Sequence, residues 1–303
     1  MSPPVKVDMH VHLFPSVEIG LRDKQYVIWE YGTRPKVRFS DYPGTVPDIL
    51  EAMQVSGVSK AVLLIYFMSR AMREAALSGL DAAALDAELL GMLEAGNRWG
   101  CDVSRKHPEI KTFVTVDPAL QSPEEAASHL RDMAENHGAW GLKLHAPLQG
   151  FSMADERLWP TYAVCQSLGL PVLGHAGPDR DGKGYSEPKA FEAMLDAFPK
   201  LPVVLAHMGG AAWRQTAEVA ARHPNAFFDC SEIIEWTGSP NGPTDAELGA
   251  LISQVGAERV MMGSDFPWYD LDHTVERVME LPVLSAAEKE AILGANAIRI
   301  LGL

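Results

Sequence analysis

Short runs of β-branched and aliphatic residues alternate along this chain with longer stretches whose apolar positions recur at helical spacing. Runs near 5–12, 58–66, 110–117, 140–145, 170–175, 201–207, 226–231 and 259–264 read as strands. Periodic segments near 47–56, 81–99, 123–137, 154–168, 187–198, 213–222 and 245–254 read as helices, with a last one near 285–301. Strand and helix in regular alternation call for a parallel sheet. Eight strands favour an α/β fold closed as a (β/α)8 TIM barrel over an open doubly wound sheet. Boundary residues agree. Ser122-Pro123-Glu124-Glu125 supplies a cap, a first-turn proline and acidic residues for a helix start, and Gly138 and Gly169 suit helix ends. Lys143 to His175 and His175 to His207 are each 32 residues, close to the ~30 of one βα unit.

Two stretches are too long for plain connections. Residues 13–46 carry Phe14, Arg22, Trp29, Tyr31, Arg34, Arg38 and Tyr42, and residues 66–80 carry Met68, Arg70, Met72 and Arg73. Both follow strands, so they belong on the face where a barrel builds its site. There they would serve as lid or pocket wall, or else as a dimer contact or surface excursion. No linker or composition shift marks a second domain, so residues 1–303 are expected to form a single barrel domain.

The polar residues that interrupt the pattern fall at strand ends. His10 and His12 close VDMHVHL, Lys143 and His145 close GLKLH, His175 closes PVLGH, His207 closes VVLAH and Asp265 closes VMMGSD. Strand C-termini converge on one face of a barrel, so these residues should meet there. His10 and His12, two apart on a strand, share one side of it. Neutral imidazoles with a carboxylate read as a metal site, with His10, His12, His175 and Asp265 as ligands. His207 is expected either as ligand to a second metal or as a catalytic acid or electrophile. Asp265 is the expected general base as well as a ligand, against the plainer role of capping a turn. An ammonium beside a metal is unfavourable. Lys143 is therefore expected either as a carbamate bridging two metals, the preferred reading, or as a plain lysine paired with a carboxylate. His145 stands one layer further out and suits substrate contact, and Arg180 could hold a substrate carboxylate.

The remaining histidines serve as an internal control. His107, His137 and His223 sit at helix ends, where the dipole accounts for them. His129 lies in mid-helix and is expected to be exposed, while His273 is ambiguous.

Composition narrows the partners. With 26 Lys+Arg against 40 Asp+Glu the net charge is −14, which disfavours nucleic acid or an anionic membrane. A small-molecule substrate is expected, and a metal's own charge would still admit an anionic one. Three scattered cysteines without a CxxC pair argue against a disulfide framework. The start MSPPVKVDMH lacks a signal segment and no apolar run approaches bilayer length, so a soluble, cytoplasmic protein is expected.

The ordered set VDMHVHL, GLKLHAPLQGF, PVLGHAG, VVLAHMGG, VMMGSDFPW and ILGANAIRIL resembles the amidohydrolase superfamily. Within it the resemblance is to the branch of aminocarboxymuconate-semialdehyde decarboxylase-like enzymes and metal-dependent hydrolases, and it runs from residue 7 to 301. It implies a distorted (β/α)8 barrel with one or two divalent metals at its mouth, and it allows a homodimer. Zinc is the default ion, with manganese and iron compatible. By motif, His10, His12, His175 and Asp265 resemble the ligands of the mononuclear decarboxylases, and His207 their catalytic histidine. KLHAP also resembles the strand of dihydroorotase-like members whose lysine is a carbamylated bridge. The decarboxylase pattern does not require that lysine, so its presence shifts the expectation toward hydrolysis of an amide, lactone or ester by metal-activated water. Non-oxidative decarboxylation of an unsaturated or aromatic acid is the alternative. A metal-binding scaffold without activity is disfavoured, because general base and ligands occur together.

Overall fold

Among the described residues, eight strands are parallel and pair in sequence order. The computed structural model describes residues 4–24, 30–32, 37–76 and 81–303. The strands are β1 (Val7–Val11), β2 (Lys60–Leu64), β3 (Ile110–Val114), β4 (Gly141–Leu144), β5 (Val172–Gly174), β6 (Val203–Leu205), β7 (Ala226–Asp229) and β8 (Val260–Met261). Backbone bonds from Met9 N to Met262 O (3.0 Å), Asp265 N to His10 O (2.9 Å) and His12 N to Phe266 O (2.7 Å) carry β8 and its continuation back onto β1. The sheet thereby closes into a TIM barrel.

Every strand is shorter than its apolar run. The residues just beyond the strand ends leave ladder geometry to make the mouth of the barrel. Helices fill the expected intervals, and the start at Ser122 is a capping box: its Oγ accepts from Glu125 N, and Glu125 Oε2 accepts from Ser122 N. Gly138 ends that helix with φ 79°, a left-handed conformation that glycine adopts without steric cost. Among the described residues four α-helices go beyond the sequence reading: Val17–Asp23 and Ser69–Ala76 inside the two long stretches, the single turn Ala146–Gln149 after β4, and Leu271–Glu280 after β8. The last packs against Val46–Ser56 and buries Leu271, Thr274, Val275 and Val278.

The barrel interior is apolar below the mouth. Val7, Met9, Val62, Leu64, Phe113, Leu173, Val204 and Met261 form one cluster, each contributing on the order of 1.5–3 kcal/mol by leaving water. The helix Asn296–Leu301 closes the opposite end, with Ala297 and Leu301 joining the cluster and Leu301 O accepting from Trp140 Nε1 at 2.8 Å. One irregularity matters for the site. The register of β1 against β2 shifts between Asp8 and Val11. Val7 and Met9 already face the interior, so strict alternation would turn His10 outward. The shift re-aims it, and His10 and His12 both point into the mouth above Met9. Among the described residues no helix is long and apolar enough to cross a membrane.

Candidate active site

Three atoms converge at the mouth: His10 Nε2 and His12 Nε2 lie 3.5 and 3.3 Å from Asp265 Oδ1. The far side of each ring fixes its proton. His12 Nδ1 stands 2.8 Å from Leu64 O, an atom that can only accept, so Nδ1 carries hydrogen. His10 Nδ1 stands 3.0 Å from Asp229 Oδ2 and donates likewise. Burial pushes His10 down to about 3 despite the pull of Asp229, so its ring is neutral. Two imidazole lone pairs therefore face a carboxylate oxygen in a buried space. Left alone, that arrangement costs far more than the ~1 kcal/mol a hydrogen bond returns. A divalent cation among the three atoms satisfies them all, and two imidazoles with a carboxylate are donors that zinc or manganese accepts. The residues fit a metal.

Asp229 supports this cluster from beneath. Its Oδ1 accepts from the backbone N–H of His207 and of Ser231, each at 3.0 Å, and from Ser231 Oγ. Burial would raise this carboxyl, but His10 first, then His207 and Ser231, hold it well below the usual carboxylate range. Ser231 Oγ gives its proton to Asp229 and so accepts from His207 Nδ1 at 2.8 Å, with Ser231 O a second acceptor at 3.2 Å. His207 Nε2 is left to accept from His175 Nδ1 at 3.2 Å. His175 stacks on His145 (centroids 4.0 Å, planes 9° apart). His207, Glu232 and Asp265 all hold φ between 57° and 59°, left-handed conformations that side-chain-bearing residues rarely adopt and that cluster at functional sites.

Lys143 is buried in the same space. Burial pulls its ammonium down to about 8, and the charges of Asp265, Asp229 and Glu232 oppose the fall. Burial, then Glu30 and Asp265, push the Glu232 carboxyl well above its ordinary range. Above the cluster opens a cavity of about 330 Å³. Its walls are aromatic near His12. Tyr66 and Trp268 meet His12 edge-on at 4.9 and 5.4 Å, and His145 lies across from them, 6.4 Å from Tyr66.

A strand-end cluster of this kind on a closed barrel coincides with a family match over nearly the whole chain: the amidohydrolase family model aligns with residues 7–303. The chain belongs to the amidohydrolase family. Among its relatives, the 2-amino-3-carboxymuconate-6-semialdehyde decarboxylase of Dictyostelium discoideum is 25% identical over 216 residues, covering 61% of this chain and 59% of that protein. The gamma-resorcylate decarboxylase of Polaromonas sp. is 22% identical over 239 residues, covering 64% and 71%. In solved form, the 5-carboxyvanillate decarboxylase of Novosphingobium aromaticivorans, complexed with manganese and a nitrobenzoic acid, superposes with TM-score 0.67 at 16% identity over 99% and 96% of the two chains.

The structure of this amidohydrolase brings His10, His12, Lys143, His145, His175, Arg180, His207 and Asp265 around the one cavity. It groups His10 and His12 tightly with Asp265, while His175 meets the cluster through His207. Asp23 and Glu30 of the first long stretch and Tyr66, Met68, Arg70 and Glu74 of the second lie in the cavity wall. Arg22, Arg38 and Arg73 instead pair with Asp23, Asp270 and Asp86. Trp29 and Arg34 lie outside the described residues. His129 is not exposed as expected: it is half-buried, and Asn97 Nδ2 donates to its Nε2 at 2.9 Å. Sequence reasoning missed Asp229, Ser231, Glu232 and Glu30. Asp229 closes β7 just as the named histidines close their strands, so the strand-end rule applied to carboxylates would have found it. Glu30 carries no signal of that kind.

Proposed function

We propose that this amidohydrolase is a metal-dependent carboxy-lyase that removes carbon dioxide from a small planar acid, aromatic or conjugated. The observation that carries this reading is the wall of flat rings, Tyr66, Trp268 and His145, around the His10–His12–Asp265 cluster. Such walls suit a planar substrate lying against rings, and the named relatives act on acids of that kind. A divalent ion bound by His10, His12 and Asp265 would fix the substrate's carboxylate and withdraw charge from it. Loss of carbon dioxide leaves the electrons of the broken C–C bond on the substrate carbon, which must take a proton. His207 would deliver it: its Nδ1 hydrogen is committed to Ser231, so the proton given must be a second one that Nε2 takes up beforehand, and burial lowers the ring's affinity for that second proton and favours its release. His175 stands behind as the group that restores it.

Lys143 supports one metal over two. A carbamate there would add a negative charge to those of Asp229 and Asp265, whereas an ammonium offsets them. Hydrolysis needs the same ligands, and the ring walls give it no particular support.

Manganese-loaded protein incubated in D2O with hydroxybenzoates, 5-carboxyvanillate and a matched set of lactones, esters and amides decides the matter. The expected result is carbon dioxide with one deuterium on the carbon that bore it. Acid released from a lactone or amide, with no carbon dioxide from any substrate, would overturn the reading.

A further inference from the structure

The segment after β1 reaches the site through Glu30 and Tyr31. Glu30 is buried, at 7% exposure, and its carboxyl forms part of the cavity wall. Its main chain is held by Asn241, whose Nδ2 donates to Glu30 O at 2.7 Å. The neighbouring Tyr31 ring stacks on Trp236 with centroids 5.3 Å apart and planes 11° apart. The carboxyl then enters a slot with no room for side chains. A Cβ on Gly210 would lie 2.4 Å from Oε1, and one on Gly177 would lie 3.0 Å from Oε2. In that slot Oε1 accepts the Ala211 N–H at 3.0 Å.

What Glu30 grips is the end of an unusual turn. His207, Met208, Gly209 and Gly210 all have positive φ, at 57°, 47°, 89° and 56°. For His and Met this conformation is disfavoured and persists only where surrounding contacts impose it. Three such contacts are present. Asp229 Oδ1 takes the His207 N–H at the near end, Thr216 Oγ1 donates to Met208 O in the middle, and Glu30 takes the Ala211 N–H at the far end. Two of the three come from within the barrel's own β6–β7 region. The third is delivered from the long segment after β1.

We propose that Glu30 is a positioning residue for His207: its carboxylate pins the far end of the left-handed turn that aims the imidazole into the cavity. Glu30 is then part of the catalytic apparatus as well as of the cavity wall. The slot needs an acceptor oxygen, not a charge, so an amide of the same shape serves. Only the kinetic arm of the test rests on the carboxy-lyase reading.

Glu30→Ala and Glu30→Gln are compared with the parent, all manganese-loaded and matched for metal content. In Glu30→Ala, backbone amide exchange over residues 207–213 should rise about ten-fold, with distant segments unchanged. Misaiming of His207 should lower kcat about ten- to a hundred-fold, while KM stays within about three-fold. Glu30→Gln should restore both slow exchange and most of kcat. Unchanged exchange in Glu30→Ala overturns the proposal. So does a Gln variant as impaired as the Ala variant, or an effect confined to KM, which would mark a substrate contact. If the parent releases no carbon dioxide, the exchange measurement alone still decides on Glu30, and the two ideas fail separately.

Discussion

The histidines at strand ends and those at helix ends differ less in burial than in what faces them. His223 is as buried as His12, at 5% against 6% exposure. Yet His223 caps the helix Thr216–Arg222, and its ring faces Asp196 and Glu192 at 3.5 and 3.9 Å. His12 instead has one nitrogen spent on Leu64 O and the other aimed at Asp265. His107 and His137 likewise end helices beside single carboxylates. A helix end supplies a field that suits a histidine and asks for no further partner. A strand end in a barrel supplies neighbours from other strands. Placement, not burial, separates function from background here.

The sharpest way to break that distinction is to remove the charge that the strand-end rings share. Asp265→Asn keeps the shape and loses the anion, so the two lone pairs no longer have a carboxylate to complete the metal's ligand set. Turnover should fall by about 10²–10⁴-fold, with metal content dropping in emission analysis. The matching change at a helix end, His137→Gln, should leave both within about two-fold. An Asp265→Asn protein that keeps its metal and its rate would end the reading of the site. A smaller effect tests the layer beneath. Asp229→Asn leaves every ligand in place but no longer obliges His10 Nδ1 to carry the proton. Metal affinity, measured by competition with a chromogenic chelator, should weaken about 10–100-fold. Unaltered affinity would reduce Asp229 to a backbone fastener for His207 and Ser231.

The barrel was legible because eight apolar runs and their intervals repeat a local pattern that the structure only trims. The strand-end cluster was legible because an imidazole or carboxylate at a strand end violates that pattern. Asp229 breaks it in the same way and was passed over because its run, AFFDCS, reads on as strand to Ser231, whereas the structure ends the strand at Asp229. Glu30 is different in kind. It lies 18 residues past His12 in a segment with no periodicity, and its place depends on Gly177, Gly210 and Asn241, contacts that only the closed barrel assembles. The helix Leu271–Glu280 was missed because Asp, His, Glu and Arg crowd its ten residues, although its buried face keeps helical spacing. His129 was misread for the converse reason: a polar residue in mid-helix looks solvated until Asn97 of the helix Ala82–Lys106 is seen to reach it.

His129 and His273 sharpen the comparison at its smallest scale, because both lie on helices outside the site and should respond to pH with opposite sign. Burial lowers the His129 pKa below its ordinary 6.5. Its stabilising contribution is then complete above 6.5 and is lost as pH falls from there toward the folded value, where the unfolded chain takes up the proton first. The hydrogen bond to Glu235 Oε2, at 2.8 Å, raises His273 above 6.5. That contribution is complete below 6.5 and is lost as pH rises through the folded value. Both rings are partly solvated, so screening holds each effect well under the ~1.4 kcal/mol that a full pKa unit carries. Thermal melts of His129→Gln and His273→Gln across about pH 5 to 8 should therefore diverge from the parent in opposite directions. The deficit of the first should grow with pH and that of the second should shrink. Parallel profiles would mean that solvent, rather than burial and Glu235, sets the charge of the two rings.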